Sequence, residues 1–96
     1  MPTVLEEFIA HLDPKVSGTL QGTAKLVLTD HGSIMLSDQG ATEGDGPADV
    51  TLKATEKTFR DILAGTQNPA MAFMSGKLKV DGSNMRALKV SEILTT

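Results

Sequence analysis

Asp49-Val50-Thr51-Leu52-Lys53-Ala54-Thr55, then Phe59 and Ile62-Leu63-Ala64-Gly65, then Asn68-Pro69 and Ala72-Phe73-Met74-Ser75-Gly76-Lys77-Leu78-Lys79-Val80-Asp81-Gly82, is the stretch on which the fold turns. Val50, Leu52 and Ala54 alternate with Asp49, Thr51 and Lys53, the period of a strand with one buried face. Thr55 is placed to cap a helix carrying Phe59, Ile62 and Leu63 and ending at Gly65. Asn68-Pro69 opens a second, short helix, with proline at the first helical position, where its missing N–H costs least. Residues 70–74 are apolar on every side, so that helix is expected to be enclosed all round. Ser75-Gly76 stops it, and 77–81 reads as a strand with Leu78 and Val80 inward.

Beyond this stretch, Gly82-Ser83 leads to a closing helix bearing Met85, Leu88, Val90, Ile93 and Leu94. On the other side, Ala24, Leu26 and Leu28 alternate with Thr23, Lys25, Val27 and Thr29. After the turn Asp30-His31-Gly32, Ile34 and Leu36 alternate with Ser33, Met35 and Ser37, which makes a hairpin. Residues 40–47 are polar and glycine-rich, a loop or a short, poor strand. Near the N-terminus Thr3-x-x-Glu6 is a capping-box pattern. Val4, Leu5, Phe8, Ile9 and Leu12 share a helical stripe, predicting a helix to about Asp13 that stops at Pro14. Strands with one polar face need helices on the other, so the pattern predicts an α+β domain, a mainly antiparallel sheet covered on one side. Neither a repeat nor a linker divides the 96 residues, so 1–96 is read as one domain.

Apolar residues make up 40% and charged residues 22%, a globular composition, with three Phe, no Trp, no Tyr and five Met. Such a core is aliphatic and adaptable, because methionine fills irregular space. Without cysteine there is neither a disulfide framework nor a thiolate nucleophile. No apolar run approaches the roughly 20 residues that span a bilayer. Met1-Pro2-Thr3-Val4-Leu5 lacks a signal-peptide layout, and Leu94-Thr95-Thr96 is not a peroxisomal address, so a cytoplasmic protein is expected. The net charge of −3 hides a division: residues 1–50 hold eight acids and two bases, residues 51–96 four acids and seven bases.

Reactive groups in catalytic or ligating patterns are sparse in the sequence. His11 falls near a helix end and His31 in a turn, where spacing supplies neither with a defined partner. Gly44-Asp45-Gly46 is neither a phosphate loop nor a dinucleotide fingerprint. Glu43, Asp45 and Asp49 lack calcium-loop spacing and read as a solvated acidic loop. No nucleophile elbow occurs, and three Phe at apolar positions give nucleic acid no stacking platform. Catalytic residues, metal and cofactor are all expected to be absent.

In order and spacing, the stretch from Ala48 to about Leu94 resembles the sterol carrier protein type 2 family: a strand of the Ala-Asp-Val-Thr-Leu kind, a helix ending in glycine, the strand entry Phe73-Met74-Ser75-Gly76-Lys77-Leu78, and a closing amphipathic helix. The hairpin and first helix fit as well. The resemblance implies a five-stranded, mainly antiparallel twisted sheet with helices over one face and an apolar cavity between. It makes residues 40–44 the third strand, and implies binding or transfer of sterols, fatty acyl compounds or phospholipids without catalysis. The expected cavity wall is Leu26, Ile34, Leu36, Phe59, Leu63, Met71, Phe73, Met74, Met85 and Leu88. The resemblance also sets the first strand beside the fourth and the fourth beside the last. Lys25, Lys53, Lys77 and Lys79 then share an exposed sheet face, which would dock transiently on anionic membranes. The rival expectation is an accessory or protein-interaction domain whose cavity is filled.

Overall fold

A computed structural model describes residues 3–20 and 22–94. The first helix, α1 (Val4–Val16), starts at Thr3, whose hydroxyl accepts the Glu6 N–H at 3.1 Å. It buries Leu5, Phe8, Leu12 and Val16. The expected stop at Pro14 does not occur. A proline lacks one N–H donor, but the Ser17 N–H still reaches the Asp13 carbonyl at 3.0 Å, and burial of Val16 holds the last turn in place.

Five strands follow, β1 (Ala24–Leu28), β2 (Gly32–Ser37), β3 (Gly40–Glu43), β4 (Val50–Ala54) and β5 (Lys79–Gly82). They form one sheet in the order β3-β2-β1-β4-β5. Three pairings are antiparallel, but β1 and β4 run parallel, with Leu26 opposite Leu52, so the sheet is mixed. Ala24, Leu26, Leu28, Ile34, Leu36, Val50, Leu52 and Ala54 turn one face inward. α1 lies over β2 and β3, and α4 (Asn84–Leu94) over β4 and β5.

The third strand, whose local signal is poor, is held from outside. Asp13 Oδ1 accepts the Ala41 N–H at 2.8 Å, with Gly40 beside it at φ 128°, where a Cβ would collide with that carboxylate.

Between β4 and β5 come α2 (Glu56–Ala64), capped by Thr55 and burying Phe59 and Ile62, and α3 (Pro69–Met74), capped by the Asn68 side chain. The Gly76 N–H bonds the Phe73 carbonyl and the Lys77 N–H the Ala72 carbonyl, the double bond that closes a helix on a left-handed glycine. Leu78 also donates to Ala72 at 3.0 Å, so 77 and 78 finish α3 and β5 begins at Lys79, not at 77 as the alternation predicts. Leu78 is buried nonetheless.

Two expectations about enclosure are corrected. α3 buries only Ala72, while Met71, Phe73 and Met74 are 62%, 50% and 82% exposed. A helix of six residues turns one side to the fold, and among the described residues nothing covers the others. In α4 the buried stripe is Ala87, Val90, Ser91 and Leu94, leaving Met85 and Leu88 at 75% and 58% exposure.

Candidate functional site

The ten side chains expected to wall a cavity divide into three groups. Leu26, Ile34, Leu36 and Phe59 are no more than 1% exposed and pack together in the core. Leu63 is half-buried and lines a cleft between α1 and α2. Met71, Phe73, Met74, Met85 and Leu88 stand at the surface of α3 and α4. Among the described residues, open clefts take the place of the expected enclosed void. An empty hole of about 300 Å³ would cost on the order of 7 kcal/mol, out of a total stability of about 5–15. Filling the interior with aliphatic side chains removes that cost.

The cleft of about 500 Å³ between α1 and α2 is charged, lined by Glu7, Phe8, His11, Arg60, Leu63 and Ala64. Arg60 bonds Glu7 at 2.7 Å and Glu56 at 2.5 Å, with its guanidinium 5.1 Å from the Phe8 ring centroid. The Arg60 hydrogen bond, helped by His31, holds the Glu56 carboxyl below its ordinary range. Asp30, His31 and Glu56 bring one donor atom each within 4.8 Å of one another, an exposed trio of the types that ligate metals. Their atoms are engaged with neighbours: His31 Nε2 meets Glu56 Oε1 at 2.7 Å, Asp30 Oδ1 accepts the Glu56 N–H at 3.0 Å, and Arg60 takes Glu56 Oε2. The geometry is that of an ion-pair network joining a turn to a helix start.

A second cleft, about 410 Å³, runs along α4 past Leu20, Thr23, Val50, Met85 and Lys89. Another polar hollow of about 380 Å³ lies between Thr55, Lys57, Asp61, Gln67 and Lys77.

The groove between α3 and α4 differs from all of these in chemistry. Pro69, Ala70 and Phe73 of α3, Leu78 and Val80 after it, and Asn84, Ala87, Leu88 and Ser91 of α4 line about 270 Å³. Its polar groups are Asn84 and the Ser91 hydroxyl, which donates to the Ala87 carbonyl at 2.8 Å. A surface so lined can hold hydrocarbon and offers a charged group nothing. Phe73 and Leu88 are the two expected site residues that it unites. Pro69, Ala70, Leu78, Val80, Asn84, Ala87 and Ser91 line it too and were not among the expected wall residues. The available signal was Ala87 and Ser91 four apart on the closing helix, small residues that leave a trough along one helical face.

The sheet's open face carries Lys25, Lys53 and Lys79, the last two directly paired across β4 and β5, whereas Lys77 precedes the strand. Lys25 is bound to Asp45 at 2.9 Å, and this hydrogen bond lowers the Asp45 pKa. Asp49 accepts the Thr23 N–H at 3.0 Å and pairs with Arg86 at 3.8 Å, so the acidic loop also ties β1 to α4.

Residues 6–95 match the model of the SCP-2 sterol transfer family, to which the chain belongs. Human hydroxysteroid dehydrogenase-like protein 2 is 35% identical over 80 residues, 83% of this chain but 18% of that protein. The Xenopus laevis protein of the same name is 44% identical over 55 residues, 57% of this chain and 13% of its own length. The chain thus spans less than a fifth of these relatives. Among solved structures, apo sterol carrier protein 2 from Yarrowia lipolytica is 27% identical, with a TM-score of 0.69 over 76% of this chain and 66% of that one. The Aedes aegypti sterol carrier protein 2, solved with palmitate, is 18% identical and shares the fold at a TM-score of 0.79 over 98% and 96% of the two chains. No helix among the described residues is long and apolar enough to cross a membrane.

Proposed function

We propose that this member of the sterol-transfer family holds the hydrocarbon part of a lipid in the α3–α4 groove and passes it on, without chemistry of its own. The lining of that groove carries the reading: Phe73, Leu78, Val80, Ala87 and Leu88 make an apolar trough with two neutral polar groups and no reacting one. A linear acyl chain suits it better than a sterol, because about 270 Å³ lies just under the roughly 300 Å³ at which pockets for compact ligands begin. To take a larger lipid the groove must widen. The wall best able to give is α3, which is anchored in the core through Ala72 and bordered by the left-handed Gly65 and Gly76. Palmitate in the Aedes aegypti relative supports the same ligand class.

A second reading, an accessory or protein-interaction domain, draws on the filled interior, where Leu26, Ile34, Leu36 and Phe59 leave no room for a lipid. Native mass spectrometry of the freshly purified protein, followed by displacement of a fluorescent fatty acid, separates the two. The carrier reading expects a bound lipid and displacement by free fatty acids. It also expects Ala70→Trp, a change at the exposed rim of the groove, to weaken binding at least tenfold while the protein stays folded. Unaltered binding by that variant would remove the groove as the site, and no binding by any fatty acid, sterol or phospholipid would leave the accessory reading.

A further inference from the structure

The exposed apolar side chains of this protein are not scattered. Met71, Phe73, Met74, Met85 and Leu88 are the large apolar residues exposed among those described, and all five sit on α3 and α4. The same part of the chain reverses the charge of the rest. Residues 69–94 carry Lys77, Lys79, Arg86 and Lys89 against Asp81 and Glu92, whereas residues 1–68 hold ten acids and five bases; of those four bases Lys79 stands on the sheet's open face and Arg86 pairs with Asp49, which leaves Lys77 and Lys89 beside α3 and on α4. Lys77 lies three residues past the end of α3 and is tied back to it by its N–H bond to the Ala72 carbonyl, and Lys89 lies one helical turn beyond Met85.

We propose that the α3–α4 face docks on an anionic lipid bilayer, with Met71, Met74, Met85 and Leu88 entering the interface and Lys77 and Lys89 meeting lipid phosphates. Three observations select this occupant. Exposed apolar side chains with lysines next to them are what an interfacial surface requires, hydrocarbon below and cations at headgroup level. Three of the five apolar residues are unbranched methionines, which adapt to a fluid surface without a fixed mate. The groove lies on this same face, bounded by Phe73 and Leu88, so a docked protein would take a chain from the bilayer without carrying it through water. In that last respect the inference rests on the carrier reading. The sheet's lysine face meets the conditions less well, since Lys25 is already bound to Asp45 and the outward residues beside it are Val27, Thr51 and Met35.

The test is co-sedimentation of the whole chain with vesicles of neutral phosphatidylcholine alone or with about one-third phosphatidylglycerol, at low and at physiological salt. Binding is expected only to anionic vesicles and should fade as salt shortens the screening length. Each lysine neutralised should weaken it about fivefold, so Lys77→Gln with Lys89→Gln gives a loss on the order of 25-fold, while Lys53→Gln on the sheet leaves it unchanged. Met71→Ser with Met74→Ser, both exposed, should also lose binding while staying folded. Equal binding to neutral and anionic vesicles, no binding to either, or a loss in Lys53→Gln matching that of the double lysine variant would overturn the proposal. So would a dimer in sedimentation that the methionine variant dissolves, if vesicles are not bound, because the patch then belongs to a second copy. Free fatty-acid binding is read separately. If it persists without docking, only this inference falls, and if docking persists without it, only the carrier reading does.

Discussion

Asp13, near the end of the first helix, accepts the backbone N–H of Ala41 through its Oδ1 at 2.8 Å, so a side chain of α1 takes the place of a strand neighbour at the sheet's edge. β3 is one of the sheet's two edge strands, paired with β2 in the ladder. An edge presents unmated backbone groups, and covering one with a charged acceptor both satisfies it and blocks further pairing. Asp13→Ala would strand a part-buried donor, at about 1–3 kcal/mol. Asp13→Asn, which keeps an acceptor, should lose less. Urea denaturation gives the stabilities. Hydrogen exchange at Ala41 should speed up in the alanine variant, and unchanged exchange there would show that the carboxylate does not hold the strand.

This contact also explains which parts of the fold were legible. Strands β1, β2 and β4 carry strict alternation, and their inward Leu26, Ile34, Leu36 and Leu52 are all buried. β3 reads Gly40-Ala41-Thr42-Glu43, with neither alternation nor bulk, because its register comes from β2 and its anchor from a residue 28 positions away. The site was harder to read for a related reason. Hydrophobicity says that Met71, Met74, Met85 and Leu88 prefer burial, but it does not say whether enough chain exists to cover them. In α4 the residues that reach the core are Ala87, Val90, Ser91 and Leu94, while the larger Met85 and Leu88 stay exposed. A groove is a property of what does not fill space, and small residues give a faint signal.

Arg60, on α2, ties two helices together, bonding Glu7 of α1 and Glu56 of its own helix while lying over Phe8 of α1. The Glu56 pKa is lowered in the folded state, chiefly by Arg60. A depressed carboxylate adds stability that is complete above its unfolded pKa and lost as pH falls through the folded one. Arg60→Gln should therefore be less stable than wild type at pH 7, and the two should converge as pH drops below the ordinary carboxylate range. A residual gap at low pH would report the lost packing on Phe8. The groups are exposed, so the difference should be small and shrink in high salt. Thermal melts by circular dichroism from pH 7 to pH 3 test this, and a gap that widens on acidification would refute it.

Phe59 and Phe73 offer a direct contrast between core and groove. Phe59 is 1% exposed and Phe73 50% exposed. Phe59→Ala should cost about 3–5 kcal/mol, as other buried aromatic truncations do. Phe73→Ala removes a groove wall already open to solvent and should cost little more than an ordinary surface change, about 0.5–1 kcal/mol. Lys57→Ala is a suitable surface reference. Fatty-acid affinity should fall in the Phe73 variant and not in the Lys57 one. Equal destabilisation at the two phenylalanines would mean that α3 packs far more tightly than its exposure indicates.

Gly76 ends α3 with φ 84°, and no atom lies within 4 Å of where a Cβ would stand. Space is free, so an alanine there is opposed by backbone conformation alone, at about 1–2 kcal/mol. Asparagine tolerates the left-handed region better and should cost less. Because α3 forms one wall of the groove, Gly76→Ala should speed exchange in residues 69–76 before it lowers global stability. If global stability falls and local exchange is unaltered, α3 is part of the cooperative core and cannot act as a yielding wall.

Lipid binding should stabilise the same region that these contacts leave loose. A ligand that binds only the folded state adds RT ln(1 + [L]/Kd), about 2.7 kcal/mol at a hundredfold Kd. For a domain near 100 residues this raises Tm by roughly 10 °C or more. The gain should not be spread evenly. Strand pairs β1–β2 and β1–β4 are fully registered and their inward side chains already sealed, so residues 23–37 have little protection left to gain. Slowing of hydrogen exchange should concentrate in residues 69–76 and 83–94, the two walls of the groove. Fatty acid, acyl-CoA, sterol and phospholipid, each at a saturating free concentration, make the comparison general, and the acyl compounds are expected to give the larger shifts because a linear chain needs less widening. A Tm rise with protection confined to the hairpin would place the lipid elsewhere in the fold. If no lipid shifts Tm and both walls already exchange slowly, the groove is closed surface and the protein works through contacts other than a bound chain.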